Sequence, residues 1–191
     1  MNQKALRTRQ VTELAIFLAL AVVLEFLSFL FPRMPFGGSF SISMLPLFVL
    51  TLRHGFKIGF LAGALYGILD MLISGLGYIT VHWAVFFLDY LFAFGAVGFA
   101  GFIFMLNKKN PFIFALGISV AMLIRLFFHW LSGVTIWSTY VAMDYPDVSV
   151  AVGSLIYNSL YMIPSLIVTA ILGFVLHITL QDQLLEENLS I

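Results

Sequence analysis

The feature that most constrains this chain is a succession of long apolar segments, separated by short groups of charged residues, glycines and prolines. A helix needs about 20 apolar residues to cross the hydrocarbon core of a bilayer. Six segments approach that requirement, and they cover roughly residues 11–31, 40–52, 55–75, 82–105, 111–136 and 150–180. The second segment is short. The pattern predicts an all-α integral membrane protein with six transmembrane helices.

Composition supports a membrane protein. Of the 191 residues, 62% are hydrophobic and 9% are charged, whereas charged residues make up about 25% of a soluble domain. A soluble domain of this size cannot bury so much apolar surface in its hydrophobic core. We therefore expect residues 1–191 to form a single membrane domain in contact with the lipid bilayer. The formal net charge of zero gives no indication of a nucleic-acid partner, and the absence of cysteine excludes disulfides and thiolate chemistry.

The distribution of basic residues predicts the orientation. Short cytoplasmic loops are enriched in Lys and Arg. With six spans, Arg33 is the one basic loop residue on its side of the membrane, and the other side carries the remainder: Lys4, Arg7, Arg9, Arg53, Lys57, Lys108 and Lys109. This asymmetry predicts that both termini are cytoplasmic and that the protein lies in the cytoplasmic membrane.

Small residues recur at helical spacing in three of the segments. The third segment has glycine at every fourth position from 55 to 67, and the fourth has glycine at 95, 98 and 101. Ala15 and Ala19 form a small-xxx-small element in the first segment. Such stripes allow helix backbones to approach closely. We expect the glycines to serve packing within the fold, and the alanines either an internal contact or a partner. No nucleotide-binding loop of the G-x-x-x-x-G-K-[ST] type occurs, so energy coupling would require other subunits.

Polar side chains inside the predicted spans are candidate functional residues, because ionisable groups are costly in hydrocarbon. Five map to the outer half of the membrane: Asp70, Asp89, Arg125, His129 and Asn158. Two acids, one permanent cation and nearby aromatic residues predict a net negative pocket suited to an organic cation. We expect Arg125 to pair with Asp89 or Asp70. The alternative is a structural ion pair beneath an interfacial belt of aromatic residues.

The two acids of the first span and the spacing of possible metal ligands do not add to this predicted pocket. Glu13 and Glu25 lie near opposite ends of the first span, where both are expected to reach water. One inward-facing histidine and carboxylates on separate spans give no ligand spacing for a metal, so no metal site is predicted.

Several motifs in this chain resemble one family of vitamin transporters. They lie at residues 34–42 (MPFGGSFSI), 52–55 (LRHG), 88–91 (LDYL), 125–133 (RLFFHWLSG) and 157–164 (YNSLYMIP). Together they are similar to the S components of energy-coupling factor (ECF) transporters, and within these to the thiamine-specific ThiT/YuaJ type. The resemblance covers nearly the whole chain.

The resemblance implies a six-helix protein that binds thiamine near the external face, is not an enzyme and carries no cofactor. It implies partnership with a transmembrane T component and two ATPase subunits, with Ala15 and Ala19 contacting the T component. By the same resemblance, one set of residues binds the vitamin: Tyr66, Tyr78, Asp89, Tyr90, Arg125, His129, Trp137 and Asn158. Asp89 would accept hydrogen bonds from the aminopyrimidine, and the aromatic residues would stack on the two rings.

This chain departs from the family pattern at four positions. Gly37 and Ser41 replace a Trp and a Glu found in some members near the second helix, Tyr66 replaces a Trp, and Gly153 replaces a Tyr. These changes leave the contacts to the thiazolium ring open, with Asp70 as a compensating acid. The alternatives are an S component for another vitamin or a precursor such as hydroxymethylpyrimidine, an intramembrane enzyme using Asp70, Asp89 and His129 as acid and base, and a scaffolding subunit.

Overall fold

The structure, a computed structural model, describes residues 3–34, 38–74 and 82–185, and the side chains of residues 8–34, 38–73 and 82–185. The secondary structure of this part is helical, apart from one isolated antiparallel bridge between Arg33 and Ser39. The helices are α1 (Gln3–Ser28), α2 (Leu45–His54), α3 (Phe56–Ser74), α4 (Phe86–Phe104), α5 (Pro111–Thr135), α6 (Ser138–Asp144) and α7 (Val150–Leu185).

Five helices are long and apolar enough to cross a membrane, namely α1 from Thr8 onwards, α3, α4, α5 and α7. Their positions match five of the six predicted spans. The polar and proline-containing groups between the apolar segments do end helices as expected. Asn110, for example, caps α5 by accepting a hydrogen bond from the backbone N–H of Phe112 at 2.8 Å, and Pro111 occupies the first helical position.

The second predicted span is the 10-residue helix α2. At 1.5 Å per residue such a helix is only about 15 Å long, half of the hydrocarbon thickness. Every residue from Pro46 to Leu52 is buried, because α2 packs against α1, α3 and α7 and is surrounded by the bundle. Continuous apolar character in this short segment therefore reflects burial in protein on all sides.

Close packing of α3 on α4 depends on glycine. Gly63 and Gly67 of α3 lie against the backbone carbonyls of Phe94 and Tyr90 in α4. Gly98 of α4 in turn lies against the backbone of Phe60 in α3. The predicted packing role of these glycines is confirmed.

Gly55, the first glycine of the predicted stripe, has a different role. It follows the last residue of α2 with a φ of 77°, a left-handed conformation that glycine adopts without steric cost. Its backbone N–H donates to the carbonyl of Thr51. Gly55 therefore ends α2 and reverses the chain into α3, so it is not part of the helical glycine face.

Glu13 of α1 lies in a cluster of basic side chains and stays partly exposed, so the expectation that it reaches water holds only in part. It accepts two hydrogen bonds from the guanidinium of Arg53 at 2.9 and 3.0 Å, one from Arg9 at 2.9 Å, and contacts His54 at 2.8 Å. Arg53 also donates to the carbonyl of Gln183 in α7. This cluster ties together the N-terminal half of α1, the end of α2 and the end of α7.

Candidate ligand-binding site

A cavity of about 180 Å³ opens between the helices at the end of the molecule opposite the Glu13 cluster. A water molecule needs roughly 10–15 Å³ of such space, so the cavity has room for a small organic ligand. Its lining combines four carboxylates with two guanidinium groups and is therefore net negative. The charged lining residues are Glu25, Arg33, Asp70, Asp89, Arg125 and Asp144.

Aromatic side chains form much of the cavity wall. They come from α4, α5, the α5–α6 connection, α6 and α7, and they are Tyr90, Phe94, His129, Trp137, Tyr140, Tyr157 and Tyr161. Flat rings around a net negative space suit a flat, cationic organic molecule. Among the residues that the structure describes, no group of three His, Asp or Glu side chains converges as metal ligands would.

Asp89 has a well-defined orientation in this cavity. It lies in the first part of α4, where Phe86–Phe92 is wound as a wider π-helix, a distortion that is frequent at functional sites. One carboxylate oxygen contacts Nδ1 of His129 at 3.0 Å. The other accepts hydrogen bonds from the Ser132 hydroxyl at 2.6 Å and the Trp137 indole N–H at 3.2 Å. Three donors therefore fix the orientation of the carboxylate.

Arg125 does not pair with Asp89 or Asp70, so the expected ion pair was wrong. Its Nε donates to Nε2 of His129 at 3.3 Å, and its guanidinium lies 4.0 Å from the centre of the Phe94 ring. This contact makes Nε2 of His129 an acceptor and assigns the ring proton to Nδ1, which donates to Asp89. The imidazole therefore stands between the guanidinium and the carboxylate, and it orients Asp89 in place of a direct salt bridge.

Asn158 orients an aromatic wall of the cavity. Its side chain is buried; its NH₂ group donates to the carbonyl of Ser154 at 2.9 Å, and its oxygen accepts from the Tyr161 hydroxyl at 2.7 Å. Gly38, with a φ of 81°, lies directly against the Tyr161 ring. Sequence reasoning identified Asn158 but not the position of Gly38, because the approach of residue 38 to α7 is a long-range contact without a local pattern.

Tyr66 lies behind the cavity wall, so stacking on a ligand by this residue is not supported. Its side chain is completely buried, and its hydroxyl donates to Glu25 at 3.1 Å. Glu25 itself is 4% exposed and lines the cavity. The expectation that Glu25 reaches water at the end of a span was therefore wrong, and the sequence analysis missed it as a site residue.

The remaining predicted residues divide into three groups. Tyr90 and Trp137 both line the cavity, as does Asp70. Tyr78 and Gly37 lie outside the described residues. Gly153 packs against Val141 at the contact between α6 and α7 and does not line the cavity.

Fold and site together define a multi-pass α-helical membrane protein with a cavity of ligand size between its helices. A family model described as thiamine transporter protein (Thia_YuaJ) matches residues 11–185. The chain belongs to this family, which confirms the resemblance drawn from the sequence motifs.

Two relatives and one solved structure show how far the similarity extends. The chain is 35% identical over 188 residues to the thiamine transporter ThiT of Bacillus subtilis strain 168, covering 94% of this chain and 95% of the relative. It is 30% identical over 152 residues to ThiT of Lacticaseibacillus paracasei, covering 74% and 73%. The structure of ThiT from Listeria monocytogenes matches with a TM-score of 0.77 at 25% identity, covering 94% of this chain and 98% of that chain.

Proposed function

We propose that this chain is the substrate-binding S component of an ECF transporter and that its cavity binds thiamine for uptake. The observation that carries the proposal is the orientation of Asp89 by His129, Ser132 and Trp137 inside a net negative, aromatic cavity. Thiamine combines an aminopyrimidine, which can donate hydrogen bonds to a carboxylate, with a permanently charged thiazolium ring. Membership of the thiamine transporter family supports the same ligand.

Asp89 would bind the aminopyrimidine edge. A carboxylate has about four acceptor positions, and three are occupied by protein donors, so capacity remains for the ligand. His129 would hold Asp89 in orientation and Arg125 would fix the tautomer of His129. Asn158 would hold Tyr161, while Tyr90, Trp137 and Tyr161 would form the aromatic walls. We propose binding without catalysis, which membership of a transporter family supports.

The proposed topology is a single membrane domain of six spans with both termini in the cytoplasm, in the cytoplasmic membrane. Contacts of Arg53 with Glu13 of α1 and with the end of α7 support a common side for the two ends of the chain. Basic residues concentrate on that side, which supports a cytoplasmic location. The cavity would then open towards the exterior. In this topology α2 counts as the sixth, short span.

Ligand identification tests the proposal directly. We expect the protein, purified in detergent without added vitamin and then denatured, to release thiamine at a ratio approaching one per chain, measured by mass spectrometry. Added thiamine should also quench the tryptophan fluorescence of ligand-free protein, because the Trp137 indole donates to Asp89 in the cavity. Release of another vitamin, or of hydroxymethylpyrimidine, would contradict thiamine as the ligand and support that compound instead.

Partnership with a T component and two ATPase subunits is part of the proposal, and it gives a second test. Ala15 and Ala19 lie on the exposed face of α1. We expect the double substitution Ala15→Leu, Ala19→Leu to reduce co-purification with the co-expressed partners about 10-fold or more, because the larger side chains hold the helices apart. Thiamine affinity of the isolated chain should be unchanged, since neither residue lines the cavity.

A matched control enlarges an exposed side chain elsewhere. Val175→Phe adds bulk to an exposed position of α7 and should leave co-purification at the wild-type level. Equal loss in both variants would indicate a general effect of surface bulk, and no loss in the alanine variant would contradict α1 as the docking helix.

A further inference from the structure

Glu25 is a buried carboxylate on the cavity wall, separate from the residues to which the ligand is assigned above. Its side chain accepts hydrogen bonds from the hydroxyls of Ser28 at 2.7 Å, Ser41 at 2.7 Å and Tyr66 at 3.1 Å. Three donors and no acceptor are the surroundings of an ionised carboxylate, which can only accept hydrogen bonds. The donors come from α1, α3 and the segment before α2, so Glu25 is held independently of Asp89.

No Lys, Arg or His side chain among the described residues lies within 4.0 Å of the Glu25 carboxylate. Both arginines that line the cavity contact aromatic rings: Arg33 lies 4.0 Å from the centre of Phe29, and Arg125 lies 4.0 Å from the centre of Phe94. A buried charge without an opposite charge is costly, so Glu25 has an unmet requirement for a cation.

Glu13, on the same helix, differs from Glu25 because it has positively charged partners. It is 12 positions earlier, about 18 Å along the helix axis, and its carboxylate is paired with Arg9 and Arg53. Glu13 is thus paired with positively charged side chains of the protein itself. Glu25 faces a cavity that is large enough for a positively charged ligand.

We infer that Glu25 is the counter-ion for the positively charged ring of the ligand and sets the preference of this site for a cationic over a neutral ring. The inference rests on the proposed thiamine binding and divides the recognition between two carboxylates. Asp89 accepts hydrogen bonds from the aminopyrimidine. Glu25 interacts electrostatically with the positive charge of the thiazolium ring.

The test compares thiamine with 3-deazathiamine, in which carbon replaces the quaternary ring nitrogen, so that the shape is kept and the charge is lost. Affinities are measured by isothermal titration calorimetry in detergent at low ionic strength. We expect the wild type to prefer thiamine by about 10- to 100-fold, because a close charge pair is only weakly screened in a partly buried site. Glu25→Gln should reduce this preference to within about 3-fold, chiefly by weakening thiamine binding.

Glu13→Gln is the matched control, since it removes an acid of the same helix that does not line the cavity, and its preference for thiamine should equal that of the wild type. Glu25→Asp keeps the charge but places it one methylene further from the cavity, and it should give an intermediate preference for thiamine. This variant replaces Glu25→Gln in the test if the glutamine variant does not fold.

Equal wild-type affinity for the two compounds, or a preference that survives in Glu25→Gln, would overturn the inference while leaving thiamine binding intact. Binding of neither compound by the wild type would overturn the proposed function, and this inference with it.

Discussion

Replacing Asp89 with asparagine is expected to weaken thiamine binding about 100-fold or more, the equivalent of about 3 kcal/mol. The substitution keeps the size of the side chain but removes its charge and converts one oxygen into a donor. That NH₂ group would face Ser132 and Trp137, or else His129, all of which donate to the aspartate. The variant therefore offers the aminopyrimidine only a neutral, weaker acceptor, and it also loses the order of the groups around that acceptor.

The measurement is isothermal titration calorimetry with thiamine on the purified variant. Asp147→Asn is the control, because it makes the same chemical change at an exposed position that does not line the cavity; its affinity should be that of the wild type. Circular dichroism and size-exclusion profiles verify that both variants are folded. Wild-type affinity in a folded Asp89→Asn protein would contradict the assignment of the aminopyrimidine to this carboxylate.

Hydropathy was sufficient to locate five helices that are long and apolar enough to cross a membrane, because lipid imposes both the length and the composition of a spanning helix. It also located α2, but it did not indicate that the apolar residues of α2 are buried by neighbouring helices instead of lipid. It also missed α6 (Ser138–Asp144), which is too short to carry a periodic signal. The π-helical turns at Phe86–Phe92 have no sequence signal that we can identify.

For the candidate site, the sequence predicted which residues share the cavity but not all of their contacts. Depth along the spans brought Asp89, His129 and Asn158 to one level, and the structure does bring them to one cavity. Depth does not specify partners, however. The sequence suggested that Arg125 pairs with Asp89 or Asp70, whereas the structure places His129 between Arg125 and Asp89. Position near a span end also suggested a solvated Glu25. Its burial depends on Ser41, 16 residues away in sequence, folding back over the end of α1.

Gly98→Ala is expected to destabilise the protein by about 3 kcal/mol, the upper range for overpacking in a tight core. At an open helical position the same change would stabilise by up to about 1 kcal/mol, because alanine has the higher helix propensity. At Gly98 the added Cβ would lie 2.6 Å from the backbone nitrogen of Phe60 and 2.8 Å from the backbone oxygen of Phe56. Backbone atoms cannot rotate away as a side chain can, so α3 and α4 would have to separate.

Thermal unfolding of the detergent-purified variant, followed by circular dichroism, measures this effect. Gly173→Ala is the control, because its nearest neighbour is the terminal methyl of Ile118, a flexible side chain that can move aside; its midpoint should stay close to that of the wild type. Separation of α3 from α4 would also displace Asp70 relative to Asp89 across the cavity. A folded fraction of Gly98→Ala should therefore bind thiamine more weakly, whereas an unchanged midpoint and affinity would contradict the glycine contact as the element that positions these carboxylates.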